Sequence, residues 1–180
     1  MLVKSCLLYH PDTADDRIKN LHIGVKALYQ DRSLKLHFDV LGDIDYLLIP
    51  KPKSPEEVDG LWQHTCFEAF ISVVEESYYR EFNFSPSGDW AAYAFDDYRH
   101  GKTWRARTPP VISYVRTSDR FSLEAVLSQD DLPENPRKQP YRLGLTAVLE
   151  VKTGGLSYWA LFHPAGKPDF HHRAGFTLSF

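Results

Sequence analysis

The chain reads as an all-β protein: a two-layer antiparallel β-sandwich, jelly-roll-like and immunoglobulin-like in broad outline. Three observations predict this. Apolar residues recur with a period of two in short runs, prolines and glycines punctuate the gaps, and helical signals are few. Aromatic residues make up 14% of the 180, which suits strands because flat rings pack well on a pleated surface.

Taken in chain order, Leu34, Leu36, Phe38 and Val40 alternate with Lys35, His37 and Asp39 as a half-buried strand. Phe67, Ala69, Ile71 and Val73 form the next apolar row, against Glu68, Phe70 and Ser72. Tyr78, Arg80, Phe82 and Phe84 alternate with Tyr79, Glu81 and Asn83. Phe121, Leu123, Ala125 and Leu127 form another row, as do Tyr141, Leu143, Leu145, Ala147 and Leu149. Phe176, Leu178 and Phe180 close the chain. Proline loops lie at Pro50–Pro55, Pro109-Pro110, Pro133–Pro140 and Pro164–Pro168, since proline offers no amide to a central ladder. Gly154-Gly155 marks a hairpin turn. Single helical turns are predicted at Pro55–Val58 and Gln129–Leu132. No repeat or long linker divides the chain, so residues 1–180 read as one domain.

Composition excludes several function classes. The net charge is −3 with acids and bases mixed, so no basic stripe points to nucleic acid. No stretch reaches the ~20 apolar residues that a membrane helix needs. The N-terminal residues lack the apolar run of a signal peptide, and only Cys6 and Cys66 are present. Both features lead to an expected cytoplasmic location with reduced thiols.

Register carries the argument towards a site. Residues Cys66–Ser85 read as a hairpin turning near Glu75-Glu76-Ser77. If Phe67, Ala69, Ile71 and Val73 face the core, Phe82 and Phe84 must join them, which requires an even-numbered loop, expected as four residues. Pro86-Ser87-Gly88-Asp89 is read as the next turn, which pairs Phe84 with Ala91 and Phe82 with Tyr93. The opposite face then holds Glu68, Phe70, Ser72, Tyr79, Glu81, Asn83, Ser85, Trp90, Ala92 and Ala94. Acids, an amide, aromatics and small residues suit a groove for a polar ligand. Such a face can equally be covered by a loop, with its acids paired to arginines.

Four segments carry a family resemblance: Leu61–Ile71 with its Trp62 and strand-borne Glu68, Tyr79–Gly88, Phe121–Leu127, and Phe170–Phe176. In order and spacing the chain resembles the DOMON-like and family-9 carbohydrate-binding-module superfamily. The resemblance implies a jelly-roll-like sandwich that binds sugars or haem through loops and one sheet face, without catalytic residues. Two departures stand out. Secreted sugar-binding modules carry export signals and adjoin a catalytic domain, and neither feature is read in this chain. Haem-binding members use Met with His or Lys, whereas the sole methionine here is Met1, so any haem would need two histidines.

The expected function is therefore non-catalytic binding of a carbohydrate or similar small polar ligand, with no cofactor assigned. The expected ligand-binding residues are Trp62, His64, Glu68, Glu81, Asn83 and Trp104. Glu68, Glu81 and Asn83 supply hydrogen bonds from one face, and Trp62 and Trp104 supply stacking surface at its rim. Trp104 sits in the polar segment His100–Arg105, with little apolar pattern to bury it. Two alternatives use the same chemistry differently. One is a haem or metal binder built on His64, His163 or His171. The other is a jelly-roll enzyme using Glu68 and Glu81 as a glycosidase-type carboxylate pair.

Overall fold

The structure is a computed structural model and describes residues 1–12, 18–164 and 166–180. Twelve strands are described: β1 (Leu2–Tyr9), β2 (His22–Gln30), β3 (Ser33–Leu41), β4 (Cys66–Val73), β5 (Tyr79–Phe84) and β6 (Trp90–Asp97) in the first half. The second half adds β7 (His100–Lys102), β8 (Val111–Arg116), β9 (Arg120–Ser128), β10 (Tyr141–Glu150), β11 (Leu156–Ala160) and β12 (Leu178–Ser179).

They form two antiparallel layers. One runs β1-β2-β3-β9-β8 and the other β7-β6-β5-β4-β10-β11, with β12 beside the start of β10. The layers join through β1, whose residues 2–7 pair with β2 while Leu8 and Tyr9 cross to β11. A strand that changes sheets in this way forms a corner of the sandwich.

The core lies between the layers, where alternation has placed it. Leu34, Leu36, Phe38 and Val40 of β3 and Phe121, Leu123, Ala125 and Leu127 of β9 face Phe67, Ala69 and Ile71 of β4 and Leu143, Leu145, Ala147 and Leu149 of β10. Phe67 sits at the seam, its ring centroid 4.8 Å from Phe38 and 5.8 Å from Phe121. The sequence-derived core residues Phe67, Ile71, Phe82, Phe84, Leu123, Leu143 and Leu145 are all buried.

The β4–β5 parity is as expected: Phe67 opposes Phe84 and Ala69 opposes Phe82. The last ladder pair is Ser72–Tyr79, so residues 73–78 form a longer loop than the four residues expected, with Glu75 in the left-handed region at φ 67°.

The β5–β6 register differs by one residue. Ser85 N–H donates to the Asp89 carbonyl and Gly88 N–H to the Ser85 carbonyl, while Gly88 takes φ 98°. The loop is therefore three residues, Pro86-Ser87-Gly88, closed by a positive-φ glycine. Phe84 consequently opposes Trp90, Phe82 opposes Ala92 and Glu81 opposes Tyr93. That slip turns Trp90, Ala92 and Ala94 to the core side and brings Ala91, Tyr93 and Phe95 to the opposite face. Of the two expected helical turns, Gln129–Asp131 is a 3-10 turn with Ser128 as its cap. Pro55–Val58 is extended instead: Trp90 N–H donates to Glu56 O, and Val58 N–H to Trp90 O.

Candidate functional site

Every residue of β4 is buried, which an open sandwich face would not produce. Its outer face is a floor in three rows. Thr146, Glu68, Asn83 and Ala91 lie across β10, β4, β5 and β6; then Gly144, Phe70, Glu81 and Tyr93; then Arg142, Ser72, Tyr79 and Phe95. The closing segment covers part of this floor. Phe176 stacks on Phe70 with ring centroids 5.9 Å apart and occupies the space over Gly144, where an added Cβ would meet Phe176 Cδ1 at 2.8 Å. The missing side chain of Gly144 is what lets the segment dock.

Between that segment and the 3-10 turn Leu61–Gln63 a cleft of about 410 Å³ stays open. Glu68, Phe70 and Glu81 lie on its floor, with Tyr93 and Phe95 beside them. Asp59 and Trp62 line one side, Phe170 and His171 the other. Trp62 is 49% exposed at the lip.

The two glutamates are almost fully enclosed, Glu68 at 2% and Glu81 at 5% exposure. Thr146 Oγ1 donates to Glu68 Oε2 at 2.9 Å, and Asn83 Nδ2 donates to Glu81 Oε1 at 3.0 Å. Burial, reinforced by the charge of Glu81, pushes the Glu68 carboxyl up to about 8. Burial pushes Glu81 up to about 7, against the downward pull of the Asn83 hydrogen bond and the Arg99 charge. Asn83 Oδ1 is a buried acceptor without a donor among the described residues. Asn83 stands directly across the ladder from Glu68.

His171 is held as a neutral ring. Arg99 N–H donates to the Tyr79 hydroxyl at 3.1 Å, and burial keeps that phenol protonated by pushing it up to about 12. The hydroxyl is then free to donate to His171 Nδ1 at 2.8 Å, which leaves the ring proton on Nε2, 3.7 Å from Glu81 Oε2. Burial pushes the His171 pKa down to about 4. Arg99 Nη2 reaches Asp169 Oδ1 at 2.9 Å. Across the cleft, Tyr93 donates a short hydrogen bond to Asp59.

Of the six residues expected to bind ligand, Trp62, Glu68 and Glu81 line the cleft, and Asn83 lies at 0% exposure in the same row as Glu68. Two are elsewhere. His64 is exposed and turned away, with Nδ1 2.9 Å from Glu150 Oε2. Trp104 packs on the core side of β5, edge-on to Phe82 at 6.1 Å, with the Arg80 guanidinium 4.1 Å above its ring. Arg80 itself is tied by 2.6 Å bonds to the carbonyls of Asp131 and Leu132. The polar segment around Trp104 concealed this cation–π partner. The register slip hid Tyr93 and Phe95. Asp59, Phe170 and His171 come from loops remote in sequence, and no local pattern could have joined them.

The histidines raised for haem or metal are dispersed. His163 Nε2 lies 2.8 Å from Leu8 O and its ring packs on His10, while His64 and His171 have the partners described above. Among the described residues, no three of His, Cys, Asp or Glu are grouped to hold a metal ion.

No family model matches the chain, and no curated protein matches it in sequence. Solved structures do match in shape. A candidate carbohydrate-binding protein from Bacteroides uniformis superposes with a TM-score of 0.66 at 12% identity, covering 97% of this chain and 84% of its own. A family-9 carbohydrate-binding module from Caldicellulosiruptor kristjanssonii, in complex with cellotriose, gives 0.57 at 12% identity over 92% and 75%. The same kind of module in complex with glucose gives 0.55 at 10% identity over 81% and 69%. At these identities the likeness establishes the sandwich fold alone.

Proposed function

We propose that the cleft over β4, β5 and β6 binds a carbohydrate without transforming it, as a member of the carbohydrate-binding branch of the wider DOMON-like superfamily. The observation that carries this reading is the pairing of a half-exposed indole, Trp62, with two enclosed carboxyls beneath it. A sugar ring has an apolar C–H face and a rim of hydroxyls, each both donor and acceptor. Trp62 suits the first. For the second, Glu68 and Glu81 with raised pKa values hold a proton between them near neutral pH, so the floor both donates and accepts. The structural neighbours that hold cellotriose and glucose support the same reading. Cys6 and Cys66 are both free, and we place the protein in the reducing cytoplasm.

The test is a glycan array with the intact protein, followed by calorimetry and a hydrolysis assay on the best-bound glycan. Trp62→Ala should weaken that binding by about tenfold or more, equivalent to about 1.4 kcal/mol. Because half of the indole is in water, stability should change by less than about 0.5 kcal/mol. Failure to bind any glycan, or full affinity in the variant, would refute the reading. Release of hydrolysed product would instead favour the carboxylate-pair enzyme.

A further inference from the structure

The charges around the cleft do not balance. Three acids line it, Asp59, Glu68 and Glu81, against one permanent cation, Arg99, which is already paired with Asp169 at 2.9 Å. His171 contributes no positive charge, because its Nδ1 faces the Tyr79 hydroxyl and burial opposes protonation. Among the described residues Glu68 meets a hydroxyl, and Glu81 meets an amide and a neutral imidazole. Neither meets a lysine or an arginine. Enclosed carboxyls are ordinarily paired with a cation, since ionising one without a partner is costly.

The walls point the same way. Trp62, Tyr93, Phe95, Tyr158 and Phe170 all contribute to the lining, and aromatic faces present negative potential. Aromatic walls over a carboxyl floor attract a cation doubly, once through the ring quadrupoles and once through charge-assisted hydrogen bonds. A neutral sugar uses the hydrogen bonds but leaves the charge imbalance as it was.

We infer that the sugar this cleft takes carries a protonated amine, so that an amino sugar is bound in preference to its neutral counterpart, with the ammonium group directed at Glu68 and Glu81. The inference rests on the carbohydrate reading and narrows it to a ligand class. An ammonium beside the two carboxyls favours their ionised forms. Binding therefore expels the proton they share into solvent, whereas a neutral sugar leaves it in place.

The experiment is calorimetry at pH 7 with glucosamine, N-acetylglucosamine and glucose, and with galactosamine against galactose, each in two buffers of different ionisation enthalpy. At least one amino sugar should bind about tenfold or more tightly than each of its neutral counterparts in the set. Its heat should depend on the buffer in the sense of proton release. In Glu68→Gln the ratio of amino to neutral affinity should fall to within about threefold, and Glu81→Gln provides the same reading should the first variant fold poorly. If neutral sugars bind as tightly as the amino sugars, or the ratio survives in both variants, the amine class is wrong while the carbohydrate reading stands. If none of the five sugars binds but the array finds a ligand without a free amine, the amine class is wrong and the carbohydrate reading stands; if the array also finds no ligand, both fall.

Discussion

Phe67→Ala should lower the unfolding free energy by about 3–5 kcal/mol. The ring is fully buried and touches both layers, with Phe38 and Phe121 of the facing sheet 4.8 and 5.8 Å away by ring centroid. The backbone on either side is held in ladders by Phe84 and Ala147, so the sheet cannot sag into the void. Part of the cost is lost transfer energy and part is the cavity that remains. Denaturant melts of the two proteins measure it. A loss below about 1 kcal/mol would show that the two layers repack, and that the seam is not where the stability of this sandwich resides.

Glu68→Gln should raise stability at pH 8.5 and do little at pH 4.5. Glu68 is lifted from an ordinary 4.5 to about 8 by burial and by Glu81. Between those values the folded chain holds a proton that the unfolded chain has released, so each unit of rising pH costs the wild type up to about 1.4 kcal/mol per such group. The penalty is absent below about 4.5 and complete above about 8, on the order of a few kcal/mol. Glu81, raised to about 7, adds a slope of the same sign over its lower range. His171 acts oppositely: lowered from 6.5 to about 4, it takes a proton on unfolding first, and stability is lost as pH falls through that window. The wild-type melting temperature should therefore peak on the acid side of neutrality and decline towards pH 8.5. Glu68→Gln should flatten the alkaline decline, because its amide keeps an acceptor for Thr146 and has no proton to lose in this range. An alkaline slope as steep in the variant as in the wild type would mean that Glu68 is ionised in the native protein.

Much of the fold was legible because alternation is a local signal. The rows Leu34–Val40, Phe67–Val73, Phe121–Leu127 and Tyr141–Leu149 each read directly as strands, and parity alone placed Glu68, Phe70, Glu81 and Asn83 on one face. What failed depended on single-residue turn geometry or on distant partners. A three-residue turn closed by Gly88, in place of four residues, exchanged Ala92 and Ala94 for Tyr93 and Phe95 and so changed which aromatics reach the cleft. The β2–β3 hairpin turns at Asp31 and Arg32, both with positive φ, where no glycine or asparagine signals a turn. Trp104 looked exposed because Arg80, which covers its ring, lies far away in sequence. His171 read only as a haem or metal candidate, because its place over Phe70 depends on Gly144 making room for Phe176 and the closing segment.

The central claim is that the Glu68–Glu81 face is a ligand site and not a buried counter-ion of the scaffold. Measuring melting temperature and glycan affinity together on Glu81→Gln tests it most directly, at pH 8 with the best-bound glycan of the array. Among the described residues no lysine or arginine forms a direct ion pair with Glu81, and burial raises its carboxyl despite the pull of the Arg99 charge. The expected result is a melting temperature equal to or above the wild type, with affinity weakened by about tenfold. A lowered melting temperature with unchanged affinity would contradict the account, because it would make Glu81 a structural partner and leave the cleft without its ligand-binding floor.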